Sequence, residues 1–409
     1  MCTTYLASKI IAELKKEKIA IHSHPHLIRF NPFARFKTRG NGGVSFKIAI
    51  DNYTPSIMEI AKNIVLKNVE ELSQMAHENT NPGVVFYEGE ITEKMENYAM
   101  KAIHSIITID EAEKFAKSIG AEIHKFKKGR GIIGAIGAIS CPLNKENSSD
   151  YTYELLTYRN KENYGKPRAI DQDSVKQMNE KTFPDTFENI DGNYIAIEPR
   201  TPCPILYGIR GENPEILKIA KSIVKVTEPI DSYCIFKTNQ HTDMHLQKIA
   251  KISDMEKYGC YIVSGHLKDD PHVIEGGHVF FTLEDGSGEI EAAAYEPTKD
   301  FRKIIQELIK GDQVQLFGGI GCGETFNIEK IKIIQLKNKI TFQNPICICG
   351  KRMTSAGKNK GFKCKKCHHT LPDGEKIAIS KERSLKENKF YETPVSARRH
   401  LAKPLIRMK

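Results

Sequence analysis

The 409-residue sequence has no apolar run approaching the ~20 residues needed to cross a bilayer, and its first residues lack the charged-then-apolar order of a secretory leader. These absences lead us to expect a soluble, cytoplasmic protein with no membrane partner. No GxxxxGK[ST] stretch occurs, which excludes an ATP loop of the Walker type. No aspartate falls within residues 1 to 50, so a cluster of aspartates that could hold Mg²⁺ is missing from that stretch. A disulfide framework is absent too: Cys2, Cys141, Cys203, Cys234, Cys260 and Cys322 are scattered singly, the usage of a reducing compartment.

The charge is unevenly placed. Residues 346 to 409 hold 17 Lys or Arg against 5 Asp or Glu, a net of +12, so the rest of the chain carries −2 of the overall +10. A basic carboxyl end suggests a polyphosphate partner. In the same region ICICGKRMTSAGKNKGFKCKKCHHT groups Cys347, Cys349, Cys364 and Cys367 around a Gly- and Lys-rich hairpin. Four such thiolates around one Zn²⁺ make a ribbon and replace a core too small to stand alone. The single residue between Cys347 and Cys349 is tighter than the common spacing, which leaves His368 or His369 as alternative ligands.

Periodicity divides the chain into segments. MCTTYLASKIIAELKKEK carries apolar residues at Leu6, Ile10, Ile11 and Leu14, an amphipathic helix with Thr3 or Thr4 as its N-cap. Strand patterns follow at 26–32 and 44–50, a helix near 56–75, a strand at 84–89, two helices and a further strand. This is α/β material over 1–147. Residues 148–250 read as βαββαβ, the ferredoxin-like order, with YIAIEP as the second strand. Over 256–338, five short strands with a helix between the third and fourth predict an OB-fold. Tyr258, Tyr261, Phe280, Phe281 and Phe317 are its candidate base-stacking faces. The ribbon occupies 345–370, and 371–409 is a basic tail in which Arg398, Arg399 and Lys403 could grip RNA phosphates.

Two glycine loops are candidate anion sites. FKTRGNGGVSF places Lys37 and Arg39 beside Gly40 and Asn41, and KKGRGIIGAIGAIS spells GxGxxG with Gly129, Arg130 and Gly131 ahead of an apolar helix. Each is equally readable as a turn or a packing device. The hydroxyl of Thr3, at a helix N-terminus, is a third place where a phosphoryl group would be stabilised.

The run of motifs Cys2-Thr3-Thr4-Tyr5-Leu6-Ala7, Lys37-Thr38-Arg39-Gly40-Asn41-Gly42, Asn81-Pro82-Gly83-Val84-Val85, Gly129-Arg130-Gly131, Tyr153-Glu154-Leu155-Leu156-Thr157-Tyr158-Arg159, Thr238-Asn239-Gln240, the clustered cysteines and Ser396-Ala397-Arg398-Arg399-His400-Leu401 resembles the archaeal isoleucine tRNA 2-agmatinylcytidine synthetases. The resemblance runs over the whole chain in the same order. It implies an α+β multidomain protein: a kinase-like α/β domain, a ferredoxin-like domain, an OB-fold β-barrel and a zinc ribbon. It further implies an ATP-, Mg²⁺- and Zn²⁺-dependent ligase that phosphorylates the wobble cytidine of isoleucine tRNA with a CAU anticodon and lets agmatine displace the phosphate. Thr3 falls on the family's autophosphorylated threonine. Lys37, Arg39, Gly40 and Asn41, with Gly129, Arg130 and Gly131, fall in motifs for ATP and the reacting phosphate. The family places an aspartate-rich loop ahead of Cys-Thr-Thr, so the Mg²⁺ ligands are expected upstream of Met1. Glu88, Glu90 and Asp171 are undistinguished candidates for agmatine's guanidinium. The competing reading is a noncatalytic single-strand nucleic-acid binder built on the OB-fold and ribbon.

Overall fold

In a computed structural model the described residues are 2–35, 37, 40–49, 55–143 and 150–408. The opening helix, Thr3–Lys16, buries Leu6, Ile10 and Leu14 against Ala61, Val65 and Val69 of the helix Pro55–Leu72. Its other side turns Ala7 onto Leu27, Leu156, Tyr158 and Phe236 of a sheet. A helix gripped on two faces needs two apolar stripes, and the i, i+3, i+4 spacing supplies both. The cap differs from expectation. Cys2 is the N-cap, with no side-chain capping bond, and Thr3 is the first helical residue. Thr4 is buried and pairs with the Cys2 Sγ at 3.0 Å.

That sheet has six strands in the order Gly42–Ser45, His26–Arg29, Ile230–Thr238, Thr152–Arg159, Ile205–Gly211 and Thr186–Phe187. The last four, with helices Gln172–Thr182 and Pro214–Ile223, form the ferredoxin-like unit. Its second strand is Thr186–Phe187, and not YIAIEP. Tyr194–Ile195 instead folds back on Ile190–Asp191 as a small hairpin. Two strands of the first segment extend the sheet at its Ile230–Thr238 edge, where Lys237 and Thr238 pair in parallel with His26 and Leu27. The α/β segment and the ferredoxin-like segment therefore share one sheet.

Strands Cys260–Leu267, Val279–Glu284, Glu289–Ala294, Gln313–Ile320 and Phe326–Gln335 close a barrel. The first pairs with both the second and the fourth, and the third with the fifth in parallel. Helix Phe301–Gln306 lies between the third and fourth, as the OB reading expects. Of the five aromatics read as stacking faces, Tyr261, Phe281 and Phe317 are buried in the protein, while Tyr258 and Phe280 stay half-buried. Alternation in a small barrel sends every second side chain into the core.

The carboxyl-terminal part is more tightly woven than a tail. Ile377–Ser380 returns to pair with Ile340–Gln343, forming the stalk that carries the ribbon. Phe390–Glu392 then joins the barrel strand Phe326–Gln335. The last residues cross to the ferredoxin-like unit, where His400 and Leu401 carbonyls accept from the His241 and Asp243 amides at 2.8 and 2.9 Å. We call residues 390–408 the strap.

Candidate active site

A cleft of about 1230 Å³ opens where the opening helix, the Lys37–Gly42 loop, the ferredoxin-like sheet and the strap meet. Its lining includes Thr3, Arg29, Lys37, Gly40, Glu154, Arg210 and His400. Thr3 is exposed, and its hydroxyl has no hydrogen-bond partner among the described residues. At the first turn of a 14-residue helix, an anion on that hydroxyl would sit by unpaired backbone N–H groups and the positive end of the dipole. Lys37 lies exposed at the rim and donates to the Pro32 carbonyl. Neighbouring Arg39 lies outside the described residues.

Gly40 and Asn41 divide the labour of their loop. Asn41 has φ +42 and its amide donates to the Asn31 carbonyl at 2.8 Å, so it holds the turn. Gly40 faces the cleft, where a Cβ would collide with the Arg29 guanidinium. The glycine therefore lets a guanidinium approach the backbone.

The second glycine loop does not line this cleft. Gly129 adopts φ +61 in the turn before helix Gly131–Ser140. A Cβ on Gly131 would strike the backbone of Gly83, and one on Gly83 the backbone of Ile132. Gly43 and Gly137 similarly admit Gly134 and Phe30. These glycines let the helix lie against its strands, the packing reading of the motif. Arg130 is half-buried at that junction.

The cleft floor is a buried ionic network. Glu154, 4% exposed, accepts from Gln240 at 2.6 Å, lies 3.2 Å from Arg210 Nε and 4.0 Å from Arg29 Nη2. Arg210 continues to Glu188, which also meets His241 at 3.2 Å and Arg398 at 2.7 Å. Burial opposes the charge on Glu154, yet the two guanidiniums and the Gln240 amide hold its carboxyl below the usual range. Burial outweighs the flanking arginines at Glu188 and raises it. Sequence reading missed this network, because its members lie on six separate stretches of the chain. Glu154, in the Tyr153–Arg159 motif, was the available signal. Glu88, Glu90 and Asp171 are absent from the cleft lining, and Asp171 caps helix Gln172–Thr182.

The three tail cations are engaged within the protein. Arg398 binds Glu188 and Glu392, Arg399 reaches Glu329 at 3.1 Å and lies over the Phe33 ring, and Lys403 pairs with Asp150 at 2.7 Å. They fasten the strap.

In the ribbon, the four Sγ atoms of Cys347, Cys349, Cys364 and Cys367 lie within 4.8 Å of one another. Cys347 and Cys367 are 3.4 Å apart, Cys349 and Cys364 3.5 Å. A tetrahedral Zn²⁺ with ~2.3 Å bonds needs sulfurs about 3.8 Å apart, so the set fits that ion. The single-residue gap is accommodated by a Gly350 turn at φ +80, and neither His368 nor His369 is needed. Among the described residues no comparable carboxylate group is arranged for Mg²⁺.

A split α/β sheet holding a cationic cleft, beside an OB barrel and a four-thiolate ribbon, defines a multidomain protein that acts on a nucleic acid with an anionic co-substrate. Family models described as the TiaS TCKD domain, the TiaS FLD domain, an OB-fold nucleic acid binding domain and the TiaS C-terminal zinc ribbon domain match residues 1–128, 129–245, 260–333 and 344–385. The chain belongs to the isoleucine tRNA 2-agmatinylcytidine synthetase, or TiaS, family. Its Methanocaldococcus jannaschii relative is 46% identical, over 99% of this chain and 95% of that one. A solved complex of TiaS with isoleucine tRNA and ATP superposes with a TM-score of 0.86 at 40% identity, covering 100% of this chain and 94% of that one. A TiaS complex with the same tRNA, AMPCPP and agmatine gives 0.85 at 39% over the same shares. The first two segments, which a simple single-strand binder leaves unexplained, thus carry family domains of their own.

Proposed function

We propose that this chain uses ATP to activate the wobble cytidine of isoleucine tRNA with a CAU anticodon, then joins agmatine at its 2-position, so that the codon AUA is read. The observation that carries this reading is the cleft: a free Thr3 hydroxyl, the Lys37–Gly40 loop and the Arg29–Glu154–Arg210 floor converge where the family's domains meet. A carbonyl oxygen leaves poorly and a phosphate leaves well, so phosphorylating the 2-oxo group prepares C2 for an amine. Thr3 serves as phosphoacceptor, with Lys37 and Gly40 toward the phosphates, and Arg39 of the same motif contributes its charge to them. Mg²⁺ would accompany the nucleotide and neutralise phosphate charge.

Agmatine brings a guanidinium, which calls for a carboxylate partner. Glu154, the buried carboxylate of the cleft, is already engaged by Gln240, Arg210 and Arg29, and Glu88, Glu90 and Asp171 lie outside the cleft lining, so none of the four takes that role. The base must leave its stack to reach such a floor. Half-buried Phe280, against His272 and Tyr295, offers a stacking face on the barrel. Zn²⁺ in the ribbon supplies structure, not chemistry. The strap cations shape the site rather than touch the RNA. The setting is cytoplasmic.

Incorporation of labelled agmatine into a CAU-anticodon transcript, dependent on ATP, tests the reading. Absence of incorporation together with tight, sequence-tolerant binding of single-stranded DNA would return the chain to the nucleic-acid binders.

A further inference from the structure

His400 belongs to a motif whose arginines are taken up by the strap, yet its own side chain has no structural task. Its backbone carbonyl fastens the strap to His241, but among the described residues nothing hydrogen-bonds to the imidazole. The residue is exposed, and what it is exposed to is the cleft. It packs beside the phosphate-side loop: a Cβ on Gly40 would lie 3.3 Å from His400 Cδ2 and against the Arg29 guanidinium. The ring, with both nitrogens uncommitted among the described residues, is held at the cleft by a strap that uses Arg398, Arg399, Lys403 and Arg407 for its own anchorage.

We propose that His400 is the proton acceptor of the amine-transfer step, a role that rests on the function proposed above. The amine nitrogen of agmatine forms its bond to C2 of the phosphorylated cytidine. The C2–O bond breaks with its electron pair going to the departing phosphate, and the proton lost by the amine passes to a ring nitrogen of His400. No oxidant or further reactant is required.

The surroundings suit that role. Arg29, on the neighbouring strand, pushes the imidazole well below the ordinary histidine range, desolvation by the enclosing cleft walls adds to this, and Arg210 and His241 add more. The ring is thus neutral and able to accept. The remaining charged groups nearby are committed: Glu154 to Gln240 and two guanidiniums, Arg398 to Glu188, and Arg399 to Glu329. A phosphoryl group placed against Arg29 would offset the charge that repels a proton from His400. The acceptor therefore gains basicity when the activated cytidine is in place. Two other groups of the cleft are less suited. Glu154 is tied down, and His77 uses Nδ1 to accept from the Asn79 amide.

The test uses the full chain with a CAU transcript, comparing wild type with His400→Gln and His400→Ala. ATP consumption in the absence of amine and agmatine incorporation are followed separately across pH. The expected result is agmatine transfer slowed roughly 100-fold or more at neutral pH, the scale of a lost general base, with ATP consumption of the same order as wild type. The variant's transfer rate should climb tenfold per pH unit where wild type is flat, and a less basic primary amine should narrow the gap. Unchanged transfer with a wild-type pH profile overturns the proposal and leaves the proposed function standing. Equal loss of ATP consumption and transfer, with the melting temperature unchanged, overturns it in favour of a phosphate-side role. Failure of the wild type itself to incorporate agmatine removes the reading on which it rests.

Discussion

Thr3 owes its availability to Cys2. Because the cysteine takes the capping position, the threonine hydroxyl is spared the backbone bond that an N-cap would make, and it projects exposed into the cleft. Thr3→Ala should abolish transfer of label from γ-labelled ATP to the protein, and Thr3→Ser should keep it. Stability should move by no more than about 0.5 kcal/mol, as for other exposed sites without a structural bond. Glycine positions argue the reverse case. Gly83 and Gly131 let two backbones touch, so Gly83→Ala forces a Cβ onto the Ile132 backbone. We expect a loss of about 1–3 kcal/mol, the range for overpacking, read as a lowered melting temperature with ATP affinity little changed. The GxGxxG pattern was visible in the sequence, but its choice between phosphate and packing depended on what lay across from it.

At the scale of elements, the strap is the least expected part. Read as a string of residues it is a basic end; folded, it pins the ferredoxin-like unit to the barrel and delivers His400. Arg398→Ala takes one guanidinium from buried Glu188, which keeps Arg210, and one from half-buried Glu392, and a cost near the low end of about 3–5 kcal/mol follows for a broken buried pair. Denaturant titration should register it, alongside faster proteolysis of the last residues. Acid should loosen the same contacts. Burial disfavours the charged forms of Asp150 and Glu329. The Arg407 and Lys403 pairs at Asp150, and His245 and Arg399 at Glu329, prevail and keep both carboxyls below their ordinary range. A lowered folded value stabilises fully above the unfolded value near ~4 and loses its effect as pH falls through and below it. The strap should therefore release on acidification below about pH 4, and Asp150→Asn should shrink the pH dependence of the unfolding midpoint.

For the whole molecule, the ribbon and the rest are held by different forces. Barrel and sheet have apolar cores with fully buried Phe281, Phe326, Leu206 and Ile209. The ribbon's cluster is Met353 and Phe362 with its cysteines. A strong Zn²⁺ chelator, or Cys349→Ser, should unfold the ribbon alone. Limited proteolysis would then cut within 344–385 while the main melting transition persists, with RNA affinity falling more than ATP affinity. Chelation that collapsed the whole chain would contradict this division.

The sequence by itself determined which elements form and in what order: the two-striped opening helix, the βαββαβ unit, the barrel hairpins and the cysteine set follow from spacings of a few residues. It also offered the family likeness that the comparisons bear out. Only the tertiary structure decided that strands 26–29 and 42–45 complete another unit's sheet, that Thr186–Phe187 replaces YIAIEP, that the basic end is a strap, and that Glu154, Arg210 and His400 share one cleft. Local periodicity records how a segment meets its own surroundings. Pairing between residues more than a hundred positions apart is set by which buried charges and exposed edges find complements, and no short window of sequence contains both partners.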